Sequence, residues 1–373
     1  QSSATGPGRG GPTQFYNSSN AGSATINNAA ALISGGITGW TQFFGSSSAA
    51  NATLTAAGGS HWGGTVAFYD NSTAGSSTLI AQGGAAGGNI LIQGNASGGT
   101  ASVKLYGSGS LSIGSLTPPG TTIGSLEGDG VVNLGGNKLM IGGNNISTSF
   151  GGAINGTGSV EKTGSGTLAF TKATTYTGGT TISGGTLLVN NTTGSATGTG
   201  VVTIGSGGTL GGGGIISSTV EVRSGAFISP GNSIGKLTTG SQTWMGGGSY
   251  RLELGAVTGT AGTDWDLLDI NGQLTMADTG LAPFDLVLAG ALTGLQADTF
   301  YEWVIATTTG GFGSGFDESL IGFDTSGFNP NLAGDFSISR SGNQLILGYQ
   351  TIPEPSGIFL CGIGWLLILR RRR

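Results

Sequence analysis

The carboxylates are the side chains that any acid–base chemistry in this chain would have to use. Residues 1–251 contain only five of them: Asp70, Glu127, Asp129, Glu161 and Glu221. Hydrolysis or cleavage of a polysaccharide needs at least two catalytic groups at one site. Only Glu127 and Asp129 are close in sequence, and they lie in a glycine-rich turn, SLEGDGVVNLGG. We therefore predict no catalytic residue and no enzymatic activity.

Two further groups of residues were weighed as sites. His61, the only histidine, lies in Ser60-His61-Trp62 with no partner nearby in sequence, so we interpret it as a turn residue. Asp264-x-Asp266-x-x-Asp269 offers oxygen ligands of the kind that calcium prefers. It lacks the glycine-aspartate nonapeptide repeats of calcium-binding β-rolls, and solvated carboxylates at a strand end explain it better. We expect no metal site and no cofactor, and leave calcium at these aspartates as an open alternative.

The small numbers of cysteine and basic residues exclude three further kinds of site: disulfides, thiolate metal sites and nucleic-acid-binding surfaces. The single Cys361 leaves residues 1–360 without a disulfide or a thiolate metal site. The 13 Lys and Arg residues are too sparse to form a nucleic-acid-binding stripe, so we predict no nucleic-acid partner.

The elements that carry these residues are short strands separated by turns. Residues 156–210 alternate apolar runs (LAF, LLV, VVTI) with Gly, Ser, Thr and Asn, at a spacing of roughly 20 residues per turn. A single repeat of this length buries little apolar surface by itself. Coils stacked about 4.8 Å apart would share one continuous core. The 78 glycines would fit disorder, but 36% hydrophobic residues in regular runs favour an ordered array. The pattern predicts a parallel β-solenoid.

A second repeat covers residues 13–103. The segments TQFYNSSNAGSATIN, TQFFGSSSAANATLT and VAFYDNSTAGSSTLI align Phe15 with Phe43 and Phe68, Ala21 with Ala49 and Ala74, and Thr25 with Thr53 and Thr78. A degraded fourth copy has Ile92 in the Phe place and Val103 in the Leu79 place. On a solenoid these positions stack, which predicts an internal phenylalanine ladder. The alternative is an exposed aromatic platform for sugars.

One stretch carries a specific family resemblance. GSVEKTGSGTLAFTKATTYTGGTTISGGTLLVN, followed by GTLGGGG and SPGNSIGKLTTG, resembles the autotransporter-associated β-strand repeat of bacterial surface passenger proteins, over residues 125–250. The resemblance implies a right-handed parallel β-helix that is exported and usually non-enzymatic. An autotransporter would end in a membrane β-barrel. This sequence shows none, which argues against self-translocation.

The sequence changes character at about Arg251. Residues 252–339 contain twelve acidic and no basic residues, whereas residues 1–251 contain five acidic and eight basic ones. After Arg251 the apolar runs that indicate strands are longer, and glycine is less frequent than before it. We interpret residues 251–350 as a small antiparallel β domain that caps the open end of the solenoid, because an uncapped coil would expose a row of backbone donors and acceptors.

The last segment suggests sorting. Pro353, Glu354 and Pro355 precede an apolar run, residues 357–369, and then Arg370, Arg371, Arg372 and Arg373. As a helix the run would span about 20 Å, less than the roughly 30 Å hydrocarbon core, and the arginines favour a cytoplasmic end. This order resembles the PEP-CTERM sorting signal of Gram-negative bacteria. The resemblance implies recognition and cleavage by an exosortase-type enzyme; the alternative is a simple anchor.

The sequence thus predicts an all-β chain with four parts. These are a flexible leader (residues 1–12), a parallel β-helix (13–250), an antiparallel capping domain (251–350) and a sorting or anchor segment (351–373) with a short apolar helix. We expect a non-enzymatic surface or extracellular-matrix protein, structural or adhesive, held transiently in the inner membrane and then exported, with exopolysaccharide as a candidate partner. The alternative is a carbohydrate-binding or carbohydrate-active β-helix protein of the lyase or hydrolase class.

Overall fold

Strands make up nearly all of the regular structure. The computed structural model describes residues 11–277, 280, 282–331 and 333–352. Within these ranges the only helix is a short 3-10 turn, Glu318–Leu320. The all-β prediction is confirmed. The predicted apolar helix of residues 357–369 lies outside the described residues.

The strands are short and closely spaced along the first two thirds of the chain. In chain order they are β1 Pro12–Phe15, β2 Thr25–Asn28, β3 Trp40–Phe43, β4 Thr53–Ala56, β5 Thr65–Phe68, β6 Thr78–Ala81, β7 Asn89–Ile92, β8 Ser102–Leu105, β9 Ser110–Ser112, β10 Gly120–Ile123, β11 Ser125–Gly128, β12 Val131–Asn133, β13 Lys138–Ile141, β14 Thr148–Phe150, β15 Ala153–Asn155, β16 Val160–Lys162, β17 Thr167–Phe170, β18 Thr180–Ile182, β19 Gly185–Val189, β20 Val202–Ile204, β21 Gly208–Gly212, β22 Val220–Val222 and β23 Phe227–Pro230.

The remaining strands become longer toward the end of the described chain. They are β24 Lys236–Thr239, β25 Gln242–Met245, β26 Ser249–Glu253, β27 Leu267–Ile270, β28 Leu274–Ala277, β29 Phe284–Gly290, β30 Phe300–Thr308, β31 Ile321–Phe328, β32 Gly334–Ser341 and β33 Gln344–Thr351.

The strands stack into parallel ladders, one strand per coil on each face. A 13-stranded sheet takes β2, β4, β6, β8, β11, β14, β17, β19, β21, β23, β26, β29 and β31 in that order. A seven-stranded sheet (β1, β3, β5, β7, β9, β12, β15) forms a second face, and an eight-stranded sheet runs from β10 to β28. At about 4.8 Å per strand the longest ladder extends about 60 Å. Long parallel sheets built this way are the arrangement that the sequence predicted for a β-solenoid.

Alternation along each strand builds the core. Most strands show an exposed or half-buried residue followed by a buried one, because successive side chains point to opposite faces. In the 13-stranded sheet Leu54, Leu79 and Val103 pair in register and are fully buried. Like residues therefore stack on like residues, and the interior is a continuous column.

The phenylalanine ladder is confirmed. Phe15, Phe43 and Phe68 pair in register on β1, β3 and β5, with ring centroids 4.6 and 4.8 Å apart and nearly parallel planes. Phe43 and Phe68 are fully buried. Ile92 continues the column on β7, as the degraded repeat predicted. These phenylalanines are core residues and not a sugar-binding platform.

A second aromatic ladder, which the sequence analysis missed, lies one residue further along. Tyr16, Phe44 and Tyr69 stack outside the core, with centroids 5.2 and 4.9 Å apart. Tyr16 is 52% exposed. Each ring covers a face of its neighbour, so within this stack the solvent reaches mainly ring edges.

The antiparallel domain predicted for residues 251–350 is much smaller than expected. Strand β26 pairs in parallel with β23 and β29, and β29 pairs in parallel with β31. Parallel pairing also links β24, β27 and β30. Among the described strands of this region, antiparallel pairing joins only β30 to β33 and β33 to β32. Strand length and charge do change at Arg251. The inward apolar positions nevertheless stay in register with those of the preceding coils. Because this register determines whether a coil stacks on the one before it, the parallel ladders continue past Arg251.

The antiparallel strands cover one edge of the ladders. β33 lies between β30 and β32, so the last parallel strand of the five-stranded sheet (β24, β27, β30, β33, β32) is paired. Phe336 on β32 contacts the rings of Phe323, Phe328 and Tyr349. These contacts fold the antiparallel strands against β31, which limits the exposed edge.

Among the described residues, no helix has the length and apolar character needed to cross a membrane.

Truncating the inner ladder should destabilise the protein far more than truncating the outer one. We expect Phe43→Ala to lower the free energy of unfolding by about 3–5 kcal/mol, because it leaves a cavity in a closed column. Phe44→Ala is the matched control, since Phe44 lies on the half-buried outer ladder, and should cost less than half as much. Denaturant midpoints of the two variants measure the difference. Equal losses would contradict the assignment of the two ladders.

Candidate functional site

The five acidic residues of residues 1–251 do not converge on one site. Each is engaged by a donor of its own, in most cases on the neighbouring coil. Glu127 pairs with Lys104 at 3.0 Å, Glu161 with Lys138 at 3.0 Å, and Glu221 with Arg223 at 2.8 Å.

The two remaining aspartates accept hydrogen bonds from backbone amides. Asp70 Oδ2 accepts from Gly45 and Asp129 Oδ1 from Gly107, at 2.9 and 2.8 Å. The donors lie 25 and 22 residues earlier, which is one coil. Glu127 and Asp129, two positions apart in sequence, therefore each bind the coil before their own.

His61 lies on an exposed turn. Its Nδ1 is 3.2 Å from Ser60 Oγ, and Ser60 Oγ donates to the backbone oxygen of Leu32. Among the described residues, no Asp or Glu side chain forms a hydrogen bond or an ion pair with His61 or Ser60.

The three aspartates of Asp264-x-Asp266-x-x-Asp269 point to different partners. Asp264 Oδ2 accepts from the Thr260 amide, while Asp269 pairs with Lys236 at 3.3 Å and accepts from Thr307. Asp266 is fully buried. Within the described part of the chain, no group of three or more His, Cys, Asp or Glu side chains is arranged to hold a metal ion.

Asp266 joins two elements of the wall of the solenoid. Its Oδ1 accepts from the Gly235 amide and its Oδ2 from the Glu253 amide, both at 2.8 Å. Burial raises the pKa of Asp266 to about 7, against the two amide donors, which favour the charged form. Burial, with the Asp266 charge adding to it, also raises the pKa of Tyr250 well above its usual value. Sequence reasoning treated Asp266 as solvated; its partners, 31 and 13 residues away, gave no local signal.

Lys162 is a second buried charged residue, on β16. Its Nζ donates to the backbone oxygens of Thr163, Gly164 and Gly184, at 2.6, 3.2 and 3.1 Å. Burial lowers the pKa of Lys162 to about 8. Because Gly184 belongs to the next coil, this ammonium group ties two coils together at a corner where strand pairing has stopped.

A loop, residues 231–233, and the outer face of the 13-stranded sheet line a concave feature near these residues. Thr186 pairs with Thr209, and Leu188 pairs with Gly211, which in turn pairs with Ser229. These side chains form the floor of a cleft of about 240 Å³, and residues 231–233 form its wall. We call this the Thr209 cleft. An adjoining cleft of about 420 Å³, lined by Asn190 and Asn191, lies against the same loop.

The predicted sorting residues cannot be placed. Pro353, Glu354 and Pro355, and the cluster of Arg370, Arg371, Arg372 and Arg373, all lie outside the described residues.

Comparison with known proteins supports the repeat and little beyond it. Residues 160–189 match the family described as passenger-associated-transport-repeat. The matched segment runs from β16 to β19 and contains Lys162 and the fully buried Tyr176, whose hydroxyl contacts Thr180 Oγ1 at 2.6 Å. No curated protein matches the chain. The match supports the predicted autotransporter-associated repeat and suggests a passenger-type surface protein.

Removing the Lys162 ammonium should loosen the corner that it holds. We expect Lys162→Met, which keeps the stem but leaves three carbonyls without their donor, to lower the free energy of unfolding by about 1–3 kcal/mol. Lys172→Met is the control, since Lys172 is exposed and makes no hydrogen bond or ion pair with other described residues. Thermal and denaturant midpoints test this, and a Lys162→Met variant as stable as the control would contradict it.

Asp266 should give the protein a distinctive pH dependence. Its folded pKa, about 7, lies above the ordinary 3.8, so between these values the folded state binds more protons than the unfolded state. The contribution of Asp266 to the free energy of unfolding is therefore largest below about pH 4 and is lost as the pH rises through about 7. The stability difference between the parent and Asp266→Asn should shrink across this window, measured as denaturant midpoints from pH 4 to 8. Asp298→Asn, at an exposed position, is the matched control for the loss of one carboxylate. A constant difference for Asp266→Asn would contradict the assignment.

Proposed function

We propose that this chain is an exported, non-enzymatic protein of the cell surface or extracellular matrix, in which the solenoid serves as a spacer with a structural or adhesive role. The observation that carries the proposal is the passenger-repeat match at residues 160–189. Of the matched strands, β17 and β19 belong to the ladder of thirteen parallel strands and β16 and β18 to the ladder of eight. A stack of coils with one continuous core suits a protein that must hold a surface at a distance.

The state of the carboxylates supports a non-catalytic role. General acid–base catalysis needs a group that is free to give or take a proton at the substrate. Most carboxylates of residues 1–251 instead bind lysines or backbone amides of neighbouring coils, as with Glu161 and Asp129, and Glu221 binds Arg223 on its own coil. In this arrangement they act as clamps between coils.

The route of export rests on the sequence of residues 352–373. We propose that an exosortase-type enzyme recognises Pro353, Glu354 and Pro355 while residues 357–369 sit transiently in the inner membrane of a Gram-negative cell. Proline has no backbone N–H and disfavours helix at the residue before it, properties that suit a protease recognition motif. Cleavage would release the protein to the surface or matrix. Loss of Glu354 and four arginines would leave 17 acidic and 9 basic residues, a net charge of −8.

Sorting can be tested by following the precursor in native cells. We expect the parent protein to appear in the surface or medium fraction, with a mature end near Pro353 by mass spectrometry. Replacing Arg370, Arg371, Arg372 and Arg373 by serine, or Glu354→Ala, should leave an unprocessed or misplaced precursor. The solenoid should still fold, because its last described strand, β33, ends at Thr351, before the substituted positions.

Lys172→Met serves again as the matched control, and it should be processed like the parent. A parent protein that stays full-length in the inner membrane would replace the sorting proposal by simple anchoring. A parent that remains in the cytoplasm would contradict export altogether.

A further inference from the structure

The motif SPGNSIG, which the sequence analysis singled out, forms the wall of the Thr209 cleft. Its residues 231–233 face the outer positions of β19, β21 and β23. The same residues border the adjoining cleft, of about 420 Å³. That volume falls in the range of roughly 300–1,000 Å³ that is typical of small-ligand sites.

Gly211 lies in the floor of the Thr209 cleft, against a leucine side chain. Leu188, Gly211 and Ser229 occupy the same outward column on successive coils. A Cβ on Gly211 would lie only 3.0 Å from Leu188 Cδ2 and 2.9 Å from the Ser229 backbone oxygen. The side chain of Leu188 therefore lies against Gly211, and it forms the aliphatic part of the cleft floor between polar neighbours.

The wall is held at both ends. Gly231 exchanges two backbone hydrogen bonds with Gly212, each of 2.9 Å. Four residues later the Gly235 amide donates to buried Asp266. Between them, Asn232 Oδ1 accepts from Asn190 Nδ2 at 3.3 Å. A wall fixed in this way loses little entropy when a ligand binds.

The cleft also contains hydroxyl groups that the protein does not use. The side chains of Thr186, Thr209, Ser229 and Ser233 make no hydrogen bond to other described residues. Their hydroxyls are both donors and acceptors, and water that binds them can be displaced by a ligand that offers the same groups.

The charged residues in and near the two clefts limit which ligands can bind there. Glu253 is the only charged residue that lines either cleft. Two cations lie near the lining residues in sequence: Arg251 lies over the Phe227 ring at 3.8 Å, and Lys236 pairs with Asp269 at 3.3 Å. Phosphate and carboxylate ligands need cationic or clustered amide donors, and the cleft presents a carboxylate instead. A ligand with many hydroxyls and no negative charge fits best.

We propose that the Thr209 cleft and the adjoining cleft form a binding site for a neutral oligosaccharide. The hydroxyls of Thr209, Ser229 and Ser233 exchange hydrogen bonds with the hydroxyls of the sugar, and Leu188 contacts the C–H face of the ring. Glu253 accepts from sugar hydroxyls and repels acidic glycans. This site rests on the proposed function in one respect, since export is what brings the chain to extracellular glycans.

The test measures glycan binding by the purified, full-length chain. Cellohexaose, laminarihexaose and maltohexaose serve as neutral probes and hexagalacturonate as the acidic one, with isothermal titration and amide chemical shifts as readouts. We expect saturable binding of at least one neutral hexasaccharide, with shifts concentrated at residues 186–253. Hexagalacturonate should bind at least 10-fold more weakly. Absence of binding by all three neutral probes, or preference for the acidic one, would overturn the proposal.

Variants locate the site. Thr209→Val and Ser233→Ala each remove one hydroxyl with little change of shape and should weaken binding by roughly 2- to 10-fold. Glu253→Gln should narrow the preference for neutral over acidic probes. Thr181→Val is the matched control, because Thr181 is an outward threonine on β18, on another face, and should leave affinity unchanged.

Unchanged affinity in both Thr209→Val and Ser233→Ala, with thermal midpoints like that of the parent, would overturn the site. An equal loss in Thr181→Val would do the same. These measurements use purified protein, so a failure here leaves the fractionation result standing, and a failure of export leaves the binding result standing.

Discussion

Register between successive coils is the constraint on which this structure depends. Each coil pairs with the next through backbone hydrogen bonds, so a residue on one coil lies directly against its equivalent on the next. The side-chain contacts follow from this pairing: phenylalanine lies on phenylalanine, leucine on leucine, and a carboxylate on one turn reaches an amide on the turn before it. The clamps formed by Asp70 and Asp129 exist because a coil length brings them opposite Gly45 and Gly107.

The same constraint explains which features the sequence could predict. The inner ladder of Phe15, Phe43 and Phe68 was visible because residue type repeats with the coil. The outer ladder of Tyr16, Phe44 and Tyr69 follows the same offsets and could have been found by reading the alignment one position further.

Features that depend on distant partners could not be predicted. The boundary at Arg251 was placed by charge and strand length, which are properties of outward positions, whereas β26 and β29 continue the ladders through inward ones. Asp266 looked solvated because its donors, Gly235 and Glu253, are set by how two coils meet. The cleft beside Gly211 exists only when Leu188 and Ser229 flank that glycine on neighbouring coils, a relation that no local window of sequence contains.

The nearest-neighbour stacking of the coils also has a mechanical consequence. Each coil is held by the coils on either side, so tension applied along the chain from one end would detach coils in sequence and not all at once. A coil of 22 residues, the offset between Gly107 and Asp129, releases about 75 Å of slack when it becomes extended. A chain loaded in this way behaves as an extensible tether, and the ladder stores its reserve length one coil at a time.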